Sequence, residues 1–225
     1  KKKKRYVRRK RYSRPRRALL SGFPSSKMVK LRYVDTGLVL DAPSGGIAQD
    51  IYRANSVFDP YQPTGGHQPM GFDQWATIYN KYTVVGSRAT LKYSPLSTTN
   101  VTQGRMGLLL SSDTAGTASF TSVNNLLESK LVGKNWKEIG STVTMYSKND
   151  AMVAKNFSAK RFFGKVNVQD GSANTALVTT NPGNEAYFIP WTSCIASGQD
   201  PGALNFTITI DYIVIFSDPK NLDGS

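Results

Sequence analysis

One cysteine, Cys194, and one histidine, His67, are all that the 225 residues contain of either type. A lone cysteine excludes a disulfide-stapled scaffold. With one histidine beside it, a zinc module built from Cys and His ligands is excluded too. No apolar run reaches the roughly 18–20 residues of a membrane-spanning helix, so membrane insertion is not expected. Acidic residues are scarce: 15 Asp and Glu stand against 29 Lys and Arg, for a net charge of +14. They are missing altogether from residues 1–17, which hold 12 basic residues; residues 18–225 keep 17 basic and 15 acidic ones, a net of +2. The charge thus divides the chain into a cationic arm, 1–17, and a nearly neutral body, 18–225. Apolar content is a modest 39%, but a body of this length still buries roughly 70% of its unfolded surface. The length fits one ordinary domain or a tight pair.

Like charges at the density of the arm repel and oppose compaction. With Val7 and two tyrosines as its only large apolar groups, the arm cannot offset its own ordering entropy and is expected to order on a polyanion. Lys1, Lys2, Lys3, Lys4, Arg5, Arg8, Arg9, Lys10, Arg11, Arg14, Arg16 and Arg17 are candidate phosphate ligands. Neutralised phosphates release counterions, and arginine offers planar paired donors. Tyr6 and Tyr12 repeat an Arg-Tyr step, and each ring can stack on an unpaired base for roughly 1–3 kcal/mol. Nothing points to base-edge readout, so little sequence specificity is expected. Competing readings are a nuclear-localisation signal, a membrane-surface patch and a solubility tail. The first needs only 5–8 basic residues and is compatible with packaging; the second lacks an amphipathic helix or lipid site beside it. The arm also resembles the charged start of a signal peptide, but Ala18-Leu19-Leu20 is too short for the apolar segment that should follow.

Residues able to carry out catalysis are not grouped. His67 sits in the loop-like Gly65-Gly66-His67-Gln68-Pro69, no Gly-x-Ser-x-Gly elbow exists, and Gly45-Gly46 and Gly65-Gly66 are turn signals rather than phosphate-cradling loops. Cys194 reads as a buried thiol. The carboxylates are scattered, without an Asp-x-Asp or Glu-x-x-His cluster. No enzymatic activity, cofactor or metal is expected. Asn100, Asn156 and Asn205 open three glycosylation sequons that read as chance matches.

In the body, Gly, Pro, Ser, Thr and Asn punctuate short β-rich segments, the pattern of a sandwich or barrel. Val29, Leu31 and Tyr33 alternate with Lys30 and Arg32, giving a first strand with one basic face; Gly37 to Asp41 continue it after a break. Val85, Ser87, Ala89, Leu91 and Tyr93 alternate with Arg88, Thr90 and Lys92. Met106 to Leu110 predicts a strand buried on both faces, Val143 and Met145 a weak strand, and Ala186 to Ile195 a strand that Pro190 places at an edge or bulge. The clearest strand is the last, where Phe206, Ile208, Ile210, Tyr212, Val214 and Phe216 share one parity. Its polar parity turns apolar at Ile213 and Ile215, which predicts a second face covered by the body or by a neighbouring subunit. Phe72, Trp75, Tyr79 and Tyr82 fall on one helical face, and Val123, Leu126, Leu127 and Lys130 predict a second short helix near 119–130. Segment 42–71, with four prolines and five glycines, reads as a long surface loop suited to clasping neighbours.

The order of these features resembles the capsid proteins of circoviruses and related small circular single-stranded DNA viruses. The basic N-terminus is followed by a strand, a Pro/Gly loop, then Phe72-Asp73-Gln74-Trp75 leading into Tyr79-Asn80-Lys81-Tyr82-Thr83-Val84-Val85-Gly86-Ser87. Lys160-Arg161-Phe162-Phe163-Gly164-Lys165 is similar to a mid-chain element of those capsids, and Asn205 to Phe216 with Ser217-Asp218-Pro219-Lys220-Asn221-Leu222 resembles their last strand and tail. The resemblance spans essentially the whole chain. It implies an all-β fold, a single eight-stranded viral jelly roll with short loop helices and a basic N-terminal arm. It also implies an icosahedral T=1 shell, a 60-subunit homo-oligomer packaging a single-stranded DNA genome, with virion and host-nucleus localisation. A host nuclear import receptor and a cell-surface receptor are implied partners. Lys30 and Arg32 then become candidates for the inner wall beside the arm, against an ordinary solvated strand face. Two other readings remain: a non-shell nucleic-acid-binding β-domain, and the coat protein of a small RNA virus.

Overall fold

The computed structural model describes residues 23–94, 103–120, 122–139, 151–164, 173–196, 200 and 202–221. The arm and the Val143–Met145 strand lie outside them. Ten strands are present among the described residues: β1 Ser26–Asp41, β2 Ile47–Gln49, β3 Tyr52–Arg53, β4 Tyr79–Tyr93, β5 Gly104–Ser111, β6 Trp136–Ile139, β7 Met152–Ser158, β8 Thr175–Leu177, β9 Tyr187–Cys194 and β10 Ala203–Pro219. Three short helices, α1 Phe72–Ile78, α2 Val123–Glu128 and α3 Ala159–Phe162, sit between them. Sheet A runs β1-β10-β4-β7, with β8 also on β4; sheet B runs β2-β9-β5-β6, with β3 also on β9. All pairings are antiparallel. Let β2 and β3 count as one interrupted strand, and set the three-residue β8 aside. The order is then first-eighth-third-sixth against second-seventh-fourth-fifth, the two facing sheets of a jelly roll.

Alternation places the core. Leu31 and Tyr33 of β1, Ala89 and Leu91 of β4, and Phe206, Ile208, Ile210, Tyr212, Val214 and Phe216 of β10 are all buried against Met106, Leu108 and Phe188 of sheet B. β10 is the centre of sheet A, paired on both edges. The break expected within the first strand is a bulge: between Asp35 and Leu38 one extra residue enters, so Leu38 and Leu40 regain the inward parity.

Three expectations are corrected. First, Pro190 lies in a central strand, between β2/β3 and β5, not at an edge. Its carbonyl accepts from the Asp50 amide (3.1 Å), so its missing donor faces the gap between β2 and β3, where no ladder bond is lost. Second, α1 ends at Ile78, and Tyr79 and Tyr82 belong to β4. The four aromatics still meet around Phe216, with Trp75 stacked on it at 5.9 Å and Phe72 edge-on to Tyr82 at 5.9 Å. Third, segment 42–71 is no surface loop for most of its length: Tyr52, Ala54, Asn55, Ser56 and Val57 are buried. There Asn55 bonds the Asn184 carbonyl and the Ala186 amide, and Ser56 bridges Tyr82 and Asn181. Ile213 is exposed and Ile215 half-buried, so of the two covers expected for them the described residues do not supply the first, and a neighbouring subunit remains.

The outward face of sheet B is covered by the chain itself. After β5, residues 112–120 and 122–135 cross it, carrying α2 at the expected place. Leu126 and Val132 are buried there with Leu109, Tyr187, Ile189 and Trp191. Gly107 makes room for the indole: a Cβ at that position would come within 2.5 Å of Trp191. β5 is therefore buried on both faces, as expected. Lys155 of β7 pins the crossing by donating to the Leu131 and Val132 carbonyls (2.6 and 3.2 Å), and burial lowers its pKa.

Candidate nucleic-acid interface

Sheet A presents the opposite situation. Inward packing of Leu31 and Tyr33 turns Lys30 and Arg32 outward, and both are exposed. Antiparallel register then sets them in rows across the sheet. Arg32 lies opposite Asp211, which lies opposite Arg88, which lies opposite Asn156. The neighbouring row is Lys30, Ile213, Gly86 and Ser158. The two residues predicted for a basic wall are therefore adjacent on one face, joined there by Arg88, Lys92 and Lys81 from β4.

Their chemical states differ. Arg32 donates twice to the Asp211 carboxylate, Nε to Oδ1 at 2.6 Å and Nη2 to Oδ2 at 3.1 Å. That hydrogen bond, followed by the charge of Asp211, raises the pKa of the guanidinium. The pair is exposed, so water screens it. Lys81 pairs with Asp218 at 3.1 Å. Lys30 and Arg88 make no ion pair or hydrogen bond among the described residues.

The face is also concave. Lys30, Arg32, Gly86, Arg88, Asn156, Asp211 and Ile213 line a depression of about 600 Å³. A bulge beside Gly86 shifts the register with β10 between Ile213 and Val214. A Cβ at residue 86 would stand 3.2 Å from the Phe157 carbonyl oxygen. A second hollow, of about 700 Å³, lies where β1 begins, lined by Ser25, Ser26, Lys81, Thr83, Thr175 and Ser217 among others. Tyr79 anchors the chain entering β1 by donating to the Pro24 carbonyl at 3.0 Å. The basic arm thus joins the body at the strand that borders this face.

Apolar groups share the surface with the cations. Of the nine exposed large hydrophobic residues among those described, six (Met28, Val34, Val39, Met152, Leu177 and Ile213) lie on the outward face of sheet A. The arm residues Lys1 to Arg17, with Tyr6 and Tyr12, fall outside the described residues. Arg88 and Lys92 were legible as members of the same face, since they alternate with Ala89 and Leu91. Gly86 was not, because only the register with Ile213 places it at the hollow.

The remaining reactive side chains are elsewhere. His67 stacks on Tyr33 with ring centroids 4.5 Å apart. Cys194 is buried in β9. Asn205 sits within β10, half-buried and paired on both sides, which argues against use of that sequon. Asn156 is exposed on β7. Among the described residues no group of three or more His, Cys, Asp or Glu could hold a metal ion.

No protein-family model and no curated protein matches the sequence. By structure the chain is similar to one from mud crab tombus-like virus, with a TM-score of 0.50 and 10% identity, covering 92% of this chain and 96% of that one. Other similar chains come from a semi-empty virus-like particle of the giant freshwater prawn Macrobrachium rosenbergii nodavirus (TM-score 0.47, 10% identity, 88% and 97% covered) and from a decameric BFDV capsid protein (TM-score 0.43, 9% identity, 86% and 99% covered). At such identities the likeness establishes the fold: two antiparallel sheets with few short helices, the all-β jelly roll found in viral capsids.

Proposed function

We propose that the chain is a structural, non-catalytic capsid protein that assembles into a small icosahedral shell of about sixty copies and packages circular single-stranded DNA. The arm, residues 1–17, holds the genome, and the outward face of sheet A, with Lys30 and Arg32, forms the inner wall. The same arm serves as a nuclear-localisation signal, which places the protein in the host nucleus during assembly and in the virion afterwards. The circovirus-like capsids are the group whose motif order it follows. The observation that carries this reading is the junction of a 12-charge arm to the edge strand of a jelly roll whose adjoining face is basic and bare. In a shell of about sixty copies the arms neutralise roughly 700 phosphates, at about one charge per nucleotide. A circular genome of a few thousand nucleotides then takes its remaining cations from solution or from the wall.

The second reading is the coat protein of a small RNA virus. It shares the arm, the fold and the shell and differs only in cargo, and the likeness to the mud crab tombus-like virus chain favours keeping it. Light scattering on nuclease-treated protein, with the absorbance ratio at 260 and 280 nm, tests both. A mass near sixty subunits with protected nucleic acid supports the shell, and DNase or RNase sensitivity of the extracted cargo decides between them. A salt-sensitive monomer or dimer that surrenders its nucleic acid to nuclease would leave a binding module without a shell. Deleting residues 1–17 is expected to leave the melting temperature unchanged and to abolish packaging; a deletion variant that no longer folds would refute the division into arm and body.

A further inference from the structure

We propose that the depression over Gly86 is a nucleotide subsite: Lys30 and Arg88 bind phosphates flanking one unpaired base laid against Gly86 and Ile213, and Asp211 holds Arg32 out of the contact. The proposal rests on the packaging reading and adds to it the residues that touch the strand.

The first argument is which cations are available. Arg32 and Arg88 flank Asp211 in one cross-strand row, so a single carboxylate faces two guanidinium groups. Arg32 engages both of its oxygens. Arg88 keeps its donors open among the described residues, and a guanidinium with open donors is suited to phosphate. Lys30 is likewise exposed and open. Lys30 on β1 and Arg88 on β4 are separated by β10. Arg88 also lies one outward row further along than Lys30, so two strand spacings and a two-residue step set them about 12 Å apart, on a diagonal that passes over Ile213 and Asp211.

The second argument is shape. A charged but flat face would bind a phosphate chain without holding its bases. Here Gly86, with the bulge beside it, lines a hollow of about 600 Å³, within the range of small-ligand sites. Its floor offers the exposed Ile213 as an apolar contact, and Asn156 at the rim brings an amide able to donate and accept. An unpaired base between two phosphates matches this set: anionic at the ends, apolar on its faces, polar at its edge. The floor is aliphatic, so each contact is weaker than stacking on tyrosine. Repetition over the copies of a shell, each already tethered to the strand by its arm, makes weak contacts count.

The test is photo-cross-linking of the full-length chain to a short oligothymidylate carrying 4-thiothymidine, with cross-linked peptides identified by mass spectrometry. Cross-links are expected in the peptides around Gly86 to Arg88 and Asp211 to Ile213, beside those in the arm. The Lys30→Ala, Arg88→Ala double variant should lower the face cross-links about tenfold while sparing those of the arm. Ile213→Ser should lower them a few-fold with charge unchanged, and Asp211→Asn should raise them a few-fold by releasing Arg32. All four side chains are exposed or partly so, and a melting curve for each variant separates binding loss from unfolding. Cross-links confined to the arm would overturn the subsite and leave the packaging reading standing; none anywhere would overturn the packaging reading itself. Face cross-links that ignore the variants, or that an acidic peptide competes away as well as the oligonucleotide does, would overturn the assignment of these residues to nucleic acid.

Discussion

The two sheets of this jelly roll obey the same inward alternation, yet their outward faces have opposite fates. Sheet B is sealed by its own chain: Trp191, Ile189 and Leu109 point away from the main core and are buried under Leu126 and Val132. Sheet A turns Met28, Val34 and Ile213 out among Lys30, Arg32 and Arg88 with no described segment of the chain above them. The difference lies in the connections. The β5–β6 excursion is long enough to cross a sheet and carries apolar residues at helical spacing to pay for its ordering. No described segment of comparable length returns over sheet A. One outward face therefore contributes to the core, and the other stays exposed among the described residues.

Substitutions can break that comparison, beginning with the core both faces share. Ile210 is fully buried in the central strand, and Ile210→Asp places an unpaired charge there, a cost of the order of the whole folding free energy, about 5–15 kcal/mol. The body should fail to fold; a normally melting, soluble variant would show that the inward parity of β10 is wrong. Next, Trp191→Ala should cost about 3–5 kcal/mol, because the indole is enclosed between Gly107 and the crossing segment. The counterpart on sheet A, Ile213→Ala, should change stability by less than about 0.5 kcal/mol in the unassembled chain. Equal losses in denaturant titrations of these two variants would erase the distinction between the faces.

A smaller effect separates the core from both faces through pH. Burial raises the pKa of Tyr52, Tyr82 and Tyr212 above 10.0, and burial, followed by its bond to Glu185, pushes Tyr187 up to about 12. For such groups the folded state holds its proton more tightly than the unfolded one. Their contribution is complete below pH 10 and is lost as pH rises through the folded values. Stability should therefore decline steadily above pH 10, and the 295 nm absorbance of these tyrosinates should appear with unfolding rather than before it. Tyrosinate signal from all eleven tyrosines in a still-folded chain would contradict the burial of this set. The smallest effect concerns the exposed Arg32–Asp211 pair: Asp211→Asn should leave the melting temperature nearly unchanged, its consequence being confined to binding.

Much of this was legible in the residues. The period of 2 from Phe206 to Phe216 and the Lys30/Arg32 alternation with Leu31 and Tyr33 survive in the fold because a half-buried strand sorts its side chains by parity alone. Met106 to Leu110 read as doubly buried because both parities are apolar. The misreadings have a common cause. Tyr79 and Tyr82 fit a helical face and lie in a strand, since aromatic spacing alone does not distinguish the two over so few residues. Pro190 pointed to an edge because the gap between β2 and β3, 140 residues earlier, is invisible locally. The Pro/Gly segment 42–71 looked solvated, but buried hydrogen bonds from Asn55 and Ser56 to partners near residue 180 draw it inside.

From its sequence alone, this protein is a cationic arm on an all-β body, because charge density and parity are local properties that need no partner to be expressed. Which face of that body stays open was decided only in three dimensions. Covering a sheet depends on where a distant connection lands, and the hollow at Gly86 depends on a register that sets β4 beside a strand some 130 residues away. Long-range pairing brings two cations without an ion pair among the described residues, Lys30 and Arg88, diagonally across β10 on one face, and no local pattern encodes that meeting.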